Sequence, residues 1–407
     1  MRVPRAWRPH ALRIEQPDAR LPATMIRTVR LASRPLLSIV VGLSLAAVIV
    51  QVSGSAVRDA YMALWTGATG LGGGPAARAG QWALGPIHVN GFLLSQSLAR
   101  TTPLLLTGLS IALGLRAGLF NIGAQGQMTC GALAAGVIGL RGGPGTSGGG
   151  IAVAIHVALI VVTGAGAGAL WGALAGWLKA ARGVHEVLST IMLNYVAVNI
   201  ATYLTTHGLK DPAEQSPQTA PIPQSLWLSP LVPGSNLTGG LVLALVCAGL
   251  VALLIRRTAV GFRIRVMGLG LDAGRAAGIR ITRTLVLTMA ISGGLAGLAG
   301  VVEVLGVQHR FLQGIAANYG FDGIAVALLG GISTPAVVLS ALFFGALASG
   351  SAYMQLHTDV PDSIAVIVQA TVILFVGLRF QRLPASAAIV IAPQPDLGTS
   401  DNDRSVL

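Results

Sequence analysis

The chain has 407 residues, 53% of them hydrophobic and only 10% charged, with a mean hydropathy of +0.73. A soluble globular protein carries about 25% charged residues, so a water-facing fold of this length is excluded. The net charge of +13 comes from 27 Lys and Arg against 14 Asp and Glu. These cations lie between apolar runs and not on a basic domain, which fits topogenic charges and not a nucleic-acid site.

A bilayer core of about 30 Å needs roughly 20 apolar residues per helix. Taken in chain order, the runs that qualify begin with Leu36 to Val52, Thr102 to Leu115, Phe120 to Leu140 and Ile151 to Trp177. They continue with Val187 to Leu204, Leu237 to Ile255 and Leu285 to Leu305. Pro335 splits the next stretch into a short span, Ile324 to Gly331, and another from Val337 to Ala352. The last is Ile364 to Leu378. The expected fold is an all-α membrane protein, a polytopic bundle of about ten transmembrane helices.

The cations orient it. With the N-terminus cytoplasmic, only Arg58, Arg78, Arg100, Arg141, Lys210 and Arg310 of the 27 lie outside, and 21 lie inside. That bias satisfies the positive-inside rule with both termini cytoplasmic. An even number of spans also keeps Arg379 and Arg382 inside. Residues 1–34 read as a basic cytoplasmic tail, 35–383 as the transmembrane domain and 384–407 as a polar cytoplasmic tail. A cleaved signal peptide is the rival reading of the first run, which is long for one. Residues 207–236, rich in Pro, Ser and Gln, read as an outer loop.

Glycine numbers 54. Gly164, Gly168, Gly172 and Gly176 recur every four residues and form one face of one helix. Small residues at that spacing let two backbones approach closely in lipid. Gly293, Gly297 and Gly300 make a similar surface on a later span.

Polar residues inside or beside the spans are the candidates for a path. Asn121, Gln125 and Gln127 open the third span, and the four-residue spacing of Asn121 and Gln125 places them on one helix face. Glycines between them permit a broken backbone, tolerated only against protein or a water-filled cavity. They either line a path or bond to neighbouring helices. Glu186 and Asn194 stand in the fifth span, where Glu186 is either a path residue or a charge favoured by the helix N-terminus. Glu303 and Asp322 are further vestibule candidates.

No catalytic constellation appears. The phosphate-loop pattern is absent, Gly268-x-Gly270-x-x-x-Gly274 has the wrong spacing for a dinucleotide site, and the His residues are scattered. Cys130 and Cys247 allow no zinc spacing or disulfide framework. If the chain is part of a pump, its energy source is not within the chain.

The largest inner loop, 256–283, holds seven arginines and one acid, Asp272. Its small residues suit a short helix, with Asp272 as its cap. The loop either docks into another protein or touches lipid headgroups.

Four stretches carry a family resemblance. They are Arg116 to Gln127, His185 to Tyr195, the Gly268 to Ile279 loop continued by Ser292 to Gly300, and Gly320 to Gly330. In these the chain resembles the membrane permease subunits of bacterial ATP-binding-cassette importers for simple sugars, nucleosides and branched-chain amino acids, most closely the nucleoside branch. The resemblance implies a second, like or unlike, permease subunit, two ATPases that use ATP and Mg, an extracytoplasmic binding (lipo)protein and contact with membrane lipid. It implies no cofactor bound by this chain. It marks Gly268, Asp272, Arg275, Ala277 and Gly278 as the ATPase-coupling candidates. The chain departs from the family at Gln125, where Glu is frequent, and at Gly270-Leu271, where Asn-Pro is frequent. A ribose-type or branched-chain amino acid permease is the neighbouring alternative. An ATP-independent channel and an integral membrane enzyme are the rivals from other classes.

Overall fold

Long apolar runs without backbone partners of their own close their hydrogen bonds internally as helices, and this chain does so along most of its described length. The computed structural model describes residues 23–374, apart from 53, 55, 72–80, 85–86, 143–149, 359 and scattered positions between 361 and 373. The last expected span and the tail at 384–407 lie largely or wholly outside these residues.

The helices are α1 (Ala23–Val52), α2 (Val57–Thr69), α3 (Gly91–Arg116), α4 (Ala124–Leu140), α5 (Ile151–Arg182) and α6 (Glu186–His207). After them come α7 (Gly240–Arg257), α8 (Ala259–Leu269), α9 (Leu271–Ala276), α10 (Ile281–Glu303), α11 (Tyr319–Gly330) and α12 (Thr334–His357). A two-stranded hairpin, β1 (Gln81–Leu84) with β2 (Ile87–Asn90), leads into α3. Among the described residues six helices are long and apolar enough to cross a membrane: α3, α5, α6, α7, α10 with its extension, and α12. The apolar part of α1, from Ile39 to Val52, and α11 are shorter.

Several boundaries differ from the sequence reading. Helix α1 begins at Ala23, inside the segment expected as a tail. Helix α3 starts 11 residues before Thr102, because Asn90 caps it there. The Asn90 Oδ1 accepts from the N–H groups of Phe92 at 3.0 Å and Leu93 at 3.3 Å. Helix α4 begins at Ala124 and not at Phe120. Pro335 stands in the first turn of α12, where its missing N–H costs nothing. Helix α2 was not foreseen. Arg58 and Asp59 dilute its hydropathy, yet it packs on α12, with Gly67 against Tyr353 and Gly350.

Helices α3 and α10 form the centre: the apolar stretches of both are mostly buried within the bundle, whereas that of α5 is mostly not. Helix α5 nevertheless makes the most extensive helix contact described, with α10. The two run antiparallel, and the expected glycine face is the seam. Gly164 meets Val301, Gly168 meets Gly293 and Gly297, Gly172 meets Met289 and Gly293, and Gly176 meets Val286 and Met289. Gly131 of α4 also lies against Gly297, and Gly300 against Met128 and Ala132, so α10 is gripped on two sides.

Arg116, Lys179, Arg182, Arg256 and Arg257 fall at one end of this bundle, at the ends of α3, α5 and α7. Arg116 donates to the Ile332 carbonyl and to Thr334 Oγ1, tying that end to the α11–α12 turn. We call it the basic end.

Candidate functional site

Two breaks in otherwise helical backbone create the site. The first lies between α3 and α4. Gly118, at φ +73°, turns the chain back, and Leu119 donates its N–H to the Gly114 carbonyl. Residues 119–123 then rise without helix, and their backbone groups need partners. Amide side chains supply them. Asn121 Oδ1 accepts from Gly123 N–H at 2.9 Å, while Asn121 Nδ2 donates to Gln127 Oε1 at 2.9 Å and to Ser292 Oγ at 2.8 Å. Gln127 Nε2 returns a bond to Asn121 Oδ1 at 3.1 Å, and Ser292 Oγ donates to the Ser110 carbonyl at 2.7 Å. Asn194 on α6 closes the knot: its Oδ1 accepts from Gly126 N–H at 2.8 Å and its Nδ2 donates to the Ile122 carbonyl at 2.9 Å.

The structure therefore brings Asn121, Gln127 and Asn194 together, each buried and bonded on both sides of its amide. Asn121 and Gln125 do not share a helix face, because Asn121 precedes the helix. Gln125 points elsewhere, into the second break. Glu186 is not with them. It sits in the first turn of α6, at the basic end, and its carboxylate accepts from Lys179 Nζ at 2.5 Å. Glu303 is buried, within electrostatic reach of Arg100 and Tyr319, and lines neither cleft described below.

An alanine at position 194 would leave Gly126 N–H and the Ile122 carbonyl unpaired. Each unsatisfied buried group costs about 1–3 kcal/mol. Asn194→Ala is expected to lower the stability of the detergent-solubilised protein by about 2–4 kcal/mol, read from denaturant midpoints. An unchanged midpoint would contradict this role.

The second break ends α10. The helix loosens into a single π turn, Val304–Gln308, and His309 adopts φ +55°. Residues 309–318 then fold back towards α4. Phe311 is buried against Gly136, and the end of the segment is pinned by Gln125. Gln125 Nε2 donates to the Ala317 carbonyl at 2.5 Å, and its Oε1 accepts from Gly320 N–H at 2.9 Å.

The loop after α6 clamps this segment from the end opposite the basic one. Leu228 N–H donates to the Leu305 carbonyl at 2.9 Å, Ile222 N–H to the His309 carbonyl at 2.8 Å, and Thr219 N–H to the Phe311 carbonyl at 2.9 Å. Arg310 pairs with Glu214 at 3.3 Å. The His309 ring stacks on Trp227, with centroids 3.6 Å apart. Burial there pushes the His309 imidazole below its ordinary pKa.

A narrow cleft opens between α4, α6 and the refolded segment. Gln125 and Thr129 come from α4, Val198, Ala201 and Thr202 from α6, and Phe311, Gln313, Gly314 and Ala316 from the segment. A shallower, more open cleft lies outside it, between Ser216–Gln218 and Leu312–Gln313. Neither lining contains an ionisable side chain. The sequence reading named Gln125 but missed Thr129, Thr202 and Gln313. The available signal was the polar run His309-Arg310 and Gln313-Gly314, wedged between two apolar spans.

The loop 256–283 forms α8 and α9. Asp272 does not cap α9. Gly270 holds that position, and Asp272 stands in the first turn, bonded to Arg275 at 2.7 Å. Asp272, Arg275, Ala277 and Gly278 are exposed, and Leu269 beside them is 85% exposed. Gly268 is packed directly on the Arg116 carbonyl. Among the described residues no group of His, Cys, Asp and Glu is placed to hold a metal.

The family model described as "Branched-chain amino acid transport system / permease component" matches residues 93–377. The guanosine ABC transporter permease protein NupP of Bacillus subtilis is 36% identical over 351 residues, covering 85% of this chain and 93% of that protein. The nucleoside ABC transporter permease protein NupB of Lactococcus lactis is 34% identical, covering 73% and 83%. The glucose ABC transporter permease protein TsgB13 of Haloferax volcanii is 33% identical, covering 72% and 80%. No solved structure matches the chain.

Proposed function

The chain belongs to the permease family of the branched-chain amino acid transport system type, and from that premise we propose that it is the membrane subunit through which an ATP-driven importer passes nucleosides. The observation that carries the substrate class is the uncharged lining of the cleft. An amino acid would bring an ammonium and a carboxylate, and burying either without a counter-charge is costly. A nucleoside brings a flat apolar ring system with neutral donors and acceptors. Val198, Ala201 and Ala316 suit the first, and the amides and hydroxyls suit the second. A neutral hexose is the second reading, favoured by the glucose permease relative.

In this reading the basic end is cytoplasmic, as are both termini, and about ten spans cross the bilayer. Residues 1–34 and 384–407 flank the transmembrane domain, 35–383. ATP and Mg belong to the partner ATPases, which dock on α8 and α9. A binding protein delivers substrate at the opposite end, beside the clamped loop. A second permease subunit and membrane lipid complete the surroundings, and nucleic acid has no place in them. Asn121, Gln127 and Asn194 hold the walls of the path, Gln125 ties its two halves together, and Glu186 anchors α6 to α5 through Lys179. Substrate moves by alternating access, driven by the different affinities of the two states for ATP and for substrate.

Proteoliposomes holding the permease with its ATPases and binding protein test this. ATP-dependent uptake of guanosine, and not of leucine, is expected. Uptake of leucine in preference to guanosine and glucose would overturn the reading.

A further inference from the structure

Four polar side chains line the inner cleft, and they are not equivalent. Gln125 spends both ends of its amide on Ala317 and Gly320, and the Thr129 hydroxyl donates to the Gln125 carbonyl at 2.9 Å. Gln313 and Thr202 differ. Among the described residues, neither the Gln313 amide nor the Thr202 hydroxyl makes a hydrogen bond within the protein. Their backbones, in contrast, are fixed. Gln313 N–H donates to the Pro217 carbonyl at 3.2 Å, beside the bridge between Gln218 and Leu312. The Thr202 carbonyl accepts from Thr205 and Thr206 within α6. Gln313 also lines the outer cleft, so a solute passing from one cleft to the other meets it first.

Resting on the reading of this cleft as the path, we infer that Gln313 and Thr202, which line one cleft from the refolded segment and from α6, are the specificity-determining pair, hydrogen-bonding the polar edge of a neutral nucleoside. Polar atoms in a cleft take partners from water or from a ligand. A primary amide offers two donors and two acceptor lone pairs, and a hydroxyl offers one donor and two lone pairs. Together they match the mixed donor and acceptor edge of a nucleobase or the diol of a ribose. A site built to hydrogen-bond such groups discriminates strongly, because an analogue lacking them leaves the protein groups unpaired. Fixed backbones present both side chains without an ordering cost for the chain.

The test uses the whole transporter in proteoliposomes, with guanosine, cytidine and glucose as probes. Gln313→Leu and Thr202→Val are expected to lower guanosine uptake by about tenfold each, a loss of about 1.4 kcal/mol in the path. Thiol labelling gives a readout that a purely structural role would not move. In a Cys130→Ala, Cys247→Ala background, Gln313→Cys and Thr202→Cys are expected to react with a membrane-impermeant methanethiosulfonate from the binding-protein side. Guanosine presented on the binding protein should slow that reaction, while Ala213→Cys on the exposed loop should react equally with and without it. Wild-type uptake by both Gln313→Leu and Thr202→Val, or labelling indifferent to substrate, would overturn the inference. If the wild type carries glucose and not nucleosides, the nucleoside assignment fails. The same variants read on glucose then decide separately whether the pair sorts the transported solute.

Discussion

Gly168→Val is expected to reduce the yield of folded, monodisperse protein by about tenfold, whereas Gly166→Val, two residues away on the same helix, is expected to leave it unchanged. The contrast follows from geometry. A Cβ built on Gly168 would lie 2.7 Å from Gly297 Cα and closer still to the Gly293 carbonyl, while one on Gly166 meets nothing within 4 Å. The obstacles at Gly168 are backbone atoms of α10, which cannot rotate away as a side chain can. Overpacking a fitted core costs about 1–3 kcal/mol even where side chains can yield, so the seam is expected at the upper end or beyond. Against a total stability of about 5–15 kcal/mol, that is a large share. The seam matters more in lipid than it would in water. Apolar side chains gain little by leaving the bilayer for a helix interface, so close van der Waals contact supplies the association. Gly297→Val should behave like Gly168→Val, because it meets the same seam from the other side. Size-exclusion profiles and melting temperatures in detergent read the outcome, and equal behaviour of Gly166→Val and Gly168→Val would remove the seam from the account.

The glycine face was legible because helical spacing is a local property and a four-residue repeat survives any tertiary arrangement. The apolar runs and the Pro335 break were legible for the same reason. What escaped depends on contacts between distant segments. Asn121 looked helical with Gln125, but its amide is used to replace backbone partners missing before α4. Asp272 looked like a cap, but Gly270 takes that place, leaving Asp272 free to pair with Arg275. The apolar run through Leu305 continues through the π turn with no local sign that α10 has ended. The break is set by the clamp of Leu228 and Ile222 on Leu305 and His309, contacts spanning roughly 80 residues. Gln313 acquires its place only through that break. No pattern within one span announces it.

The second large effect is expected at the basic end. Leu269→Asp should cut ATP-driven uptake by about tenfold while the protein still folds. Leu269 is 85% exposed and Leu271 43% exposed, on a surface otherwise dominated by arginine. Leu269, just before α9, and Leu271, its first residue, leave apolar surface open to docking, and they are the kind of apolar anchor that dominates a docked interface, where single truncations cost about 2 kcal/mol or more. The Asp272–Arg275 pair is exposed and worth less than about 1 kcal/mol to stability, so its variants report on docking. Asp272→Arg and Arg275→Glu should each depress uptake. The swap Asp272→Arg with Arg275→Asp restores the pair within α9 but inverts the charges offered to an ATPase. If the swap restores uptake, the pair acts only inside the helix and the docking role fails. Continued loss supports it. The route from there to the cleft is a chain of tight contacts. Gly274 seats α9 on Ile281, and Gly268 packs α8 on the Arg116 carbonyl and against Gly118. In the proposed coupling, residues 119–123 would pass a displacement on to α4, where Gln125 holds Ala317 and Gly320. Gly268→Ala, which forces a Cβ onto that Arg116 carbonyl, is therefore expected to uncouple ATP hydrolysis from uptake even with α9 intact. ATP consumed per guanosine transported is the quantity to measure, and a wild-type ratio would break the chain at its first link.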